Sequence, residues 1–256
     1  MRILQILPFV AVVALVGCQS SGNRALVSTS PDKNAAANQT AQSADGSDLS
    51  VPSNETTASI SNSAPSARKD TILAYSAPKP GTVFTWRNNW ANLPEIISYK
   101  VSGMHKIGDT DYVKFTSVKG LKNSTQAYYS TKDFSLKGYR DAKNQALVTY
   151  KPVEQRYRFP MAPGDKWLTQ WKSLDHKTNK VTSGGGVVHA IRMETLNLPA
   201  GQIRAMKVKM PVQKNAPRGL THHAWFSPEL GITVKEEIGG GVLNWTQVLE
   251  KVEYPN

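Results

Sequence analysis

The sequence predicts a mainly β fold, an antiparallel meander, for the part of the chain beyond residue 70. Short runs in which apolar and polar residues alternate recur there, as in Tyr112–Thr116 and Ala205–Met210. Turn signals such as Pro80-Gly81, Pro163-Gly164 and Gly239-Gly240-Gly241 separate these runs. No segment keeps a helical period over a dozen residues. These three observations favour antiparallel strands joined by turns.

The chain begins with a charged start and a short apolar run. Met1-Arg2 is followed by mostly apolar residues as far as Gly17, a pattern typical of secretory signals. The run is shorter than the roughly 20 apolar residues that span a bilayer, and it contains Gln5 and Pro8. We therefore expect residues 1–17 to be a signal peptide rather than a transmembrane anchor.

The single cysteine of the chain, Cys18, follows this run directly. Leu15-Val16-Gly17-Cys18 resembles the lipobox of bacterial lipoproteins. The resemblance implies that the chain is cut before Cys18, that its thiol carries a diacylglycerol, and that its new amino group is open to acylation with a fatty acid such as palmitate. Several acyl chains hold a protein firmly on a membrane. Because Gln19 is not aspartate, the resemblance also favours the outer membrane, with the folded domain in the periplasm.

A tether connects this anchor to the domain. Residues 18–70 are rich in Ser, Ala, Asn, Thr and Gln and contain no Phe, Tyr or Trp. Such a composition cannot bury enough apolar area to offset the entropy of ordering. We predict a disordered linker that lets the domain work away from the bilayer.

The domain, residues 71–256, holds all six Trp of the chain and is long enough for a substantial core. Three pairs of similar segments suggest an internal duplication, with repeats over residues 71–150 and 151–256. The paired segments are Pro80–Phe84 with Pro163–Trp167, Tyr112–Thr116 with Ala205–Lys209, and Ala127–Ser130 with Ala224–Ser227. Two such halves would share one curved sheet or face each other as a clam.

A weaker resemblance covers residues 160–237. Its markers are Pro163–Trp167, Leu198–Gly201 and Trp225–Lys235, and they are similar to those of uncharacterised β-rich bacterial envelope proteins. The resemblance implies structural roles for these segments and supplies no catalytic residue. Trp167 and Trp225 are large enough to anchor a core, so we expect both to be buried.

Positive charge gives the main indication of a partner. Beyond residue 70 the chain has 26 basic and 14 acidic residues. Alternation predicts that Arg156 and Arg158 share one outward strand face and that Lys207 and Lys209 share another. We take these four as candidate binding residues for anionic envelope polymers, lipid headgroups or envelope proteins. The alternative is that these residues belong to ordinary solvated strand faces. The expected location in the cell envelope argues against nucleic acid as a partner.

Catalytic and metal-binding signals are weak. The sequence has no phosphate-binding loop, no Gly-x-Ser-x-Gly elbow, no His-Glu-x-x-His motif and no cysteine nucleophile. His222-His223 is the most metal-like pair, but adjacent residues of a strand point to opposite faces. We predict no catalytic residue, no metal ion and no cofactor.

Three functions follow from these observations. The first is an envelope lipoprotein whose β-rich domain binds or scaffolds an anionic or amphipathic envelope component. The second is a hydrolase of envelope glycans, which would require carboxylates, or His with Ser, converging in a deep cleft. The third is a carrier that shelters a lipid or acyl chain in a long apolar groove.

Overall fold

A computed structural model describes residues 70–90, 93–120, 125–212, 218–240 and 244–256. The predicted signal peptide, Cys18 and the tether up to residue 69 lie outside these ranges, and what the sequence predicts for them stays a prediction. Within the described ranges, no helix is long and apolar enough to cross a membrane.

The described residues form twelve strands. They are β1 (Val83–Trp90), β2 (Leu93–Ile107), β3 (Thr110–Lys119), β4 (Gln126–Ser130), β5 (Leu136–Arg140), β6 (Ala146–Glu154), β7 (Lys166–Asp175), β8 (Lys180–Leu198), β9 (Gly201–Met210), β10 (Thr221–Ser227), β11 (Ile232–Gly239) and β12 (Trp245–Glu253). Each strand pairs antiparallel with its neighbours in the sequence. The prediction of an antiparallel meander is confirmed.

The sheet closes on itself, so the predicted curved sheet or clam is wrong. Strand β1 pairs with β12 along its length, from Val83 opposite Glu253 to Trp90 opposite Trp245. The result is a closed barrel in which every strand has two partners. Closure satisfies the backbone groups that an open sheet would leave exposed at its two edge strands.

Aromatic side chains fill the barrel. The fully buried interior rings are those of Phe84, Trp86, Tyr99, Phe115, Tyr129, Phe134, Tyr139, Tyr150, Tyr157 and Phe226. Trp167 and Trp225 are 6% and 3% exposed, so the prediction that both are buried is confirmed. Aromatic rings bury a large apolar area each, and this area is the main source of stability in a chain whose described residues form no disulfide.

Two irregular segments enter the barrel at one end. The connection from β6 to β7 carries the fully buried Tyr157 and Met161, and the Tyr157 hydroxyl lies 2.7 Å from Thr233 Oγ1 on β11. The segment before β1 pairs with this connection through Ile72 and Met161. Since β11 lies four strands from β7 around the ring, the connection crosses the interior rather than following the wall.

The segments that suggested a duplication fall on strands six positions apart. They lie at the starts of β1 and β7, on β3 and β9, and on β4 and β10. The duplication itself stays a prediction.

Candidate functional sites

The structure separates the four predicted binding residues. Arg156 is 3% exposed and lies inside the barrel, whereas Arg158 is exposed. The two residues belong to the irregular connection between β6 and β7, so the strand face predicted for them is wrong. The consecutive residues Arg156 and Tyr157 are both buried, so the alternation of residues 156–159 does not separate inward from outward side chains. Tyr157 packs against the rings of Phe226 and Phe134.

Arg156 belongs to an interior cluster that we define as Glu154, Arg156, His222 and Glu236. Its guanidinium pairs with the carboxylate of Glu236, which is 1% exposed and lies on β11. His222 Nε2, on β10, lies 2.6 Å from the same carboxylate oxygen. A polar layer continues from Glu236 to its cross-strand neighbour Gln247, whose Nε2 donates to Asn88 Oδ1 at 3.0 Å.

The two carboxyl groups of this cluster have opposite properties. Burial raises the pKa of Glu154 to about 7, although Arg156 lowers it in part. For Glu236, burial acts to raise the pKa, but Arg156 and then His222 outweigh it and hold the value at about 2. Glu236 is therefore ionised near neutral pH. By contrast, Glu154 Oε2 is buried and has no hydrogen-bond partner among the described residues.

This geometry indicates that the interior cluster stabilises the fold. The Glu236 carboxylate is enclosed and already paired with a guanidinium and an imidazole, so a glycan has no path to it in this conformation. Its pairing joins the crossing segment to the far wall of the barrel. The interior is occupied by aromatic side chains at the place where an acyl carrier would hold its ligand.

Lys207 and Lys209 lie on the outer wall. They alternate along β9 with Met206, Val208 and Met210, which are buried. Cross-strand pairing places further cations on the same wall. The basic face, as we define it, comprises Lys166, Arg192, Lys207, Lys209 and Lys235, which lie on β7, β8, β9 and β11.

Two transverse rows organise this basic face. In one row Arg192, Lys207, Trp225 and Lys235 are successive cross-strand partners from β8 to β11. In the other, Lys166, His189, Lys209, His223 and Glu237 are successive partners from β7 to β11. Adjacent strands lie about 4.8 Å apart, so each row extends for about 14–19 Å.

Trp225 is the centre of the basic face. Its neighbours Ala224 and Phe226 face the interior, so its indole faces outward. The ammonium groups of Lys207 and Lys235 lie 4.8 Å and 4.7 Å from the ring centroid. The indole Nε1 donates to Glu194 Oε2 at 2.9 Å. These contacts bury the indole and hold two cations side by side.

The local potential on this face is positive despite two carboxylates. Arg192 pairs with Glu194 at 2.6 Å, and Lys235 pairs with Glu237 at 2.7 Å. The pKa of His223 is lowered, first by burial and then by the nearby Lys207 charge. The five cations of the basic face outnumber these two carboxylates, so the face has a net positive charge that attracts anions.

Sequence reasoning missed Lys166, Arg192 and Lys235. Alternation around the buried residues Trp167, Val234 and Glu236 could have shown that Lys166 and Lys235 point outward. Alternation could not have placed Arg192, because the bulge after the buried Ala190 shifts the pattern there. It could not show that these three residues lie beside Lys207, since that depends on register and on the bulges near Ala190 and Trp225. His222 and His223 face opposite sides of β10, and the described residues contain no group of three metal-ligating side chains.

Comparisons with known proteins give only distant similarity. No family model matches the sequence, and no curated protein matches it. Among solved structures, one described as an exported protein with a YmcC-like fold from Bacteroides fragilis has a TM-score of 0.47 and 18% identity, covering 72% of this chain and 100% of its own.

Two further solved structures are described as lipoproteins. One, from Parabacteroides distasonis, has a TM-score of 0.44 and 21% identity, covering 71% of this chain and 100% of its own. The other, the hypothetical lipoprotein YmcC from Escherichia coli, has a TM-score of 0.35 and 12% identity, covering 69% of this chain and 89% of its own. At these values the similarities carry no inference about ligand or partner.

Proposed function

We propose that this protein is a lipid-anchored envelope protein whose barrel binds an acidic polymer through the basic face. The observation that carries the proposal is the Lys207–Trp225–Lys235 arrangement, in which an outward indole fixes two ammonium groups. Ordinary solvated lysines keep their rotamer freedom. Lysines already held in place lose less entropy when an anion binds.

The shape of the basic face favours an extended ligand. Its two rows run across the strands, and exposed Lys166 and Lys209 flank His189 in one of them. A polymer with regularly spaced carboxylates or phosphates can contact several of these cations at once. Such multivalent contact raises the affinity of ionic interactions that are weak one by one. The anchor and the tether would bring this surface to the polymers of the envelope.

Reversing two exposed cations tests the ligand assignment. We expect Lys166→Glu/Lys209→Glu to weaken binding to the polyuronate alginate by about tenfold in low salt, because two attractive contacts become repulsive. Titrations at several salt concentrations, followed by fluorescence anisotropy of labelled alginate, measure the effect. The melting curve should stay close to the parent's, since exposed substitutions usually change stability by about 0.5 kcal/mol or less.

The matched control is Lys132→Glu/Lys177→Glu, which makes the same change in net charge at exposed turn positions. Equal losses in both variants would show that only net charge matters, and would contradict a defined site. Parallel titrations with phosphatidylglycerol vesicles distinguish the ligand source. Vesicle binding without alginate binding would assign the face to lipid headgroups.

Replacing the lipidation residue tests the anchor. Cys18→Ser removes the one thiol of the chain. We expect this variant to lose metabolic labelling with fatty acid and to leave the membrane fraction, because thioether acylation needs the sulfur. Continued labelling of the variant would contradict the lipoprotein assignment.

A further inference from the structure

Corresponding turns precede β1 and β7. In the first, the Gly81 amide donates to Val101 O at 2.7 Å, and in the second the Gly164 amide donates to Ala190 O at 2.8 Å. Both glycines have positive φ, 90° and 92°. The same strand residues also donate hydrogen bonds back to the turns. Val101 N donates to Thr82 O at 2.8 Å, and Ala190 N donates to Asp165 O at 2.9 Å.

The bulges that follow occupy corresponding places. Strand β2 shifts register against β3 between Val101 and Gly103, and β8 shifts against β9 between Ala190 and Arg192. In both halves, the bulge therefore begins at the residue whose carbonyl accepts the hydrogen bond from the turn glycine, Val101 in one half and Ala190 in the other. This match extends the similarity from turns to strand register.

The hairpins β4–β5 and β10–β11 are also equivalent. Their register shifts lie between Tyr128 and Tyr129 in one and between Trp225 and Phe226 in the other. The turn residues Phe134 and Gly231 have positive φ values of 56° and 66°. The match of these particular bulges and turns makes Tyr128 the counterpart of Trp225.

Tyr128, which is 1% exposed, shares part of the outward surroundings of Trp225, although Gly138 takes the position of Lys235. It is the cross-strand partner of Lys114, as Trp225 is of Lys207. The guanidinium of Arg140 lies 5.7 Å from its ring centroid. The imidazole of His105 lies 5.1 Å from the ring, at the position that corresponds to Glu194 in the other half.

Among the described residues, the second surface has no carboxylate at the positions that Glu194 and Glu237 occupy in the first. Lys100 is exposed and Lys114 is half-buried, and both are on the outer wall with Arg140. The register places Arg140 where Glu237 lies in the other half, and His105 where Glu194 lies. Strands β4 and β10 are six positions apart in a ring of twelve described strands, so the two surfaces lie on opposite walls.

We propose that Lys100, Lys114, Tyr128 and Arg140 form a second site for the same acidic polymer, which makes the barrel bivalent. This inference rests on the proposed function. A planar bilayer cannot contact two opposite walls of one barrel, whereas two polymer strands, or one that wraps the barrel, can. The ligand class favoured is therefore an acidic polysaccharide, and the consequence is that one molecule joins two polymer segments.

Stoichiometry tests the second site. Isothermal titration with an oligoguluronate of about six residues should give two bound oligomers per parent barrel. At oligomer concentrations that saturate the parent but leave a tenfold weaker site largely empty, we expect one in Lys100→Glu/Lys114→Glu, one in Lys166→Glu/Lys209→Glu and none in the fourfold variant. Long alginate should turn parent solutions turbid by cross-bridging, and neither double variant should do so. Melting curves close to that of the parent verify that each variant is folded.

The outcomes separate the two proposals. One oligomer per parent barrel, unchanged in Lys100→Glu/Lys114→Glu and lost in Lys166→Glu/Lys209→Glu, would overturn the second site and leave the basic face intact. No oligomer bound by the parent would overturn the proposed function itself. Turbidity that persists in both double variants would mean that cross-bridging does not use these two surfaces, and would also overturn bivalence.

Discussion

Replacing Arg156 by methionine is expected to lower the free energy of unfolding by about 3–5 kcal/mol, because it leaves the Glu236 carboxylate charged inside the barrel without its guanidinium. Loss of the pair also removes one of the contacts that hold the connection between β6 and β7 to β11, while the bond between Tyr157 and Thr233 remains. Chemical denaturation measured by tryptophan fluorescence gives the free energy directly.

Two variants control for this result. Arg158→Met makes the same chemical change two residues away at an exposed position, and should cost about 0.5 kcal/mol or less. Arg156→Met/Glu236→Met removes both charges, and should recover much of the lost stability because a buried apolar pair can replace a buried ion pair. Equal stability of the Arg156→Met and Arg158→Met variants would contradict the role of the interior cluster.

The same pair predicts a pH dependence. The folded state holds the pKa of Glu236 at about 2, below its ordinary value of 4.5. A lowered carboxyl pKa stabilises the fold fully above the ordinary value, and this contribution is lost as the pH falls toward 2. We expect the parent to lose stability over that interval and Arg156→Met to show a shallower slope, because its Glu236 has lost the guanidinium that contributes most to lowering its pKa.

Replacing Phe134 by alanine is expected to cost about 3–5 kcal/mol. The ring is 1% exposed and stacks on Tyr129 with centroids 4.2 Å apart. It also contacts Tyr75, Tyr157 and Phe226, so it joins the two entering segments to opposite walls. Thermal and chemical unfolding measure the loss.

An exposed apolar residue provides the control for Phe134. Leu168 is 62% exposed on the outer wall, so Leu168→Ala should change stability by about 0.5 kcal/mol or less. Phe134→Leu should lie between the parent and Phe134→Ala, since it keeps part of the apolar volume. A neutral Phe134→Ala would show that the aromatic cluster rearranges to fill the space.

Local pattern was enough to predict the strands but not their closure. Alternation at Met206, Val208 and Met210 gives the inner face of β9 directly, because these positions follow the period of a strand. The pairing of Val83 with Glu253 joins the two ends of the domain, and no local feature of either segment encodes it. An open sheet and a closed barrel have the same alternation along each strand.

The sites differed in how far sequence could predict them. Lys207 and Lys209 could be placed on an outward face because their neighbours are buried. Arg156 could not be placed, since tertiary contacts with Glu236 and Thr233 decide the direction of an irregular connection. The partners of Trp225 were equally hidden, because Lys207 and Lys235 reach it only through the register of three strands.

The seam between β1 and β12 also sets the order in which the protein can fold. Synthesis proceeds from the amino terminus, so β1 emerges long before the residues that complete its pairing. The hairpins of the meander can form from local contacts as they appear. The ring cannot close until Trp245–Glu253 is free, and such long-range pairing is slow. Until then β1 has an unpaired edge, so the chain is most prone to misassociation just before β12 becomes available for pairing.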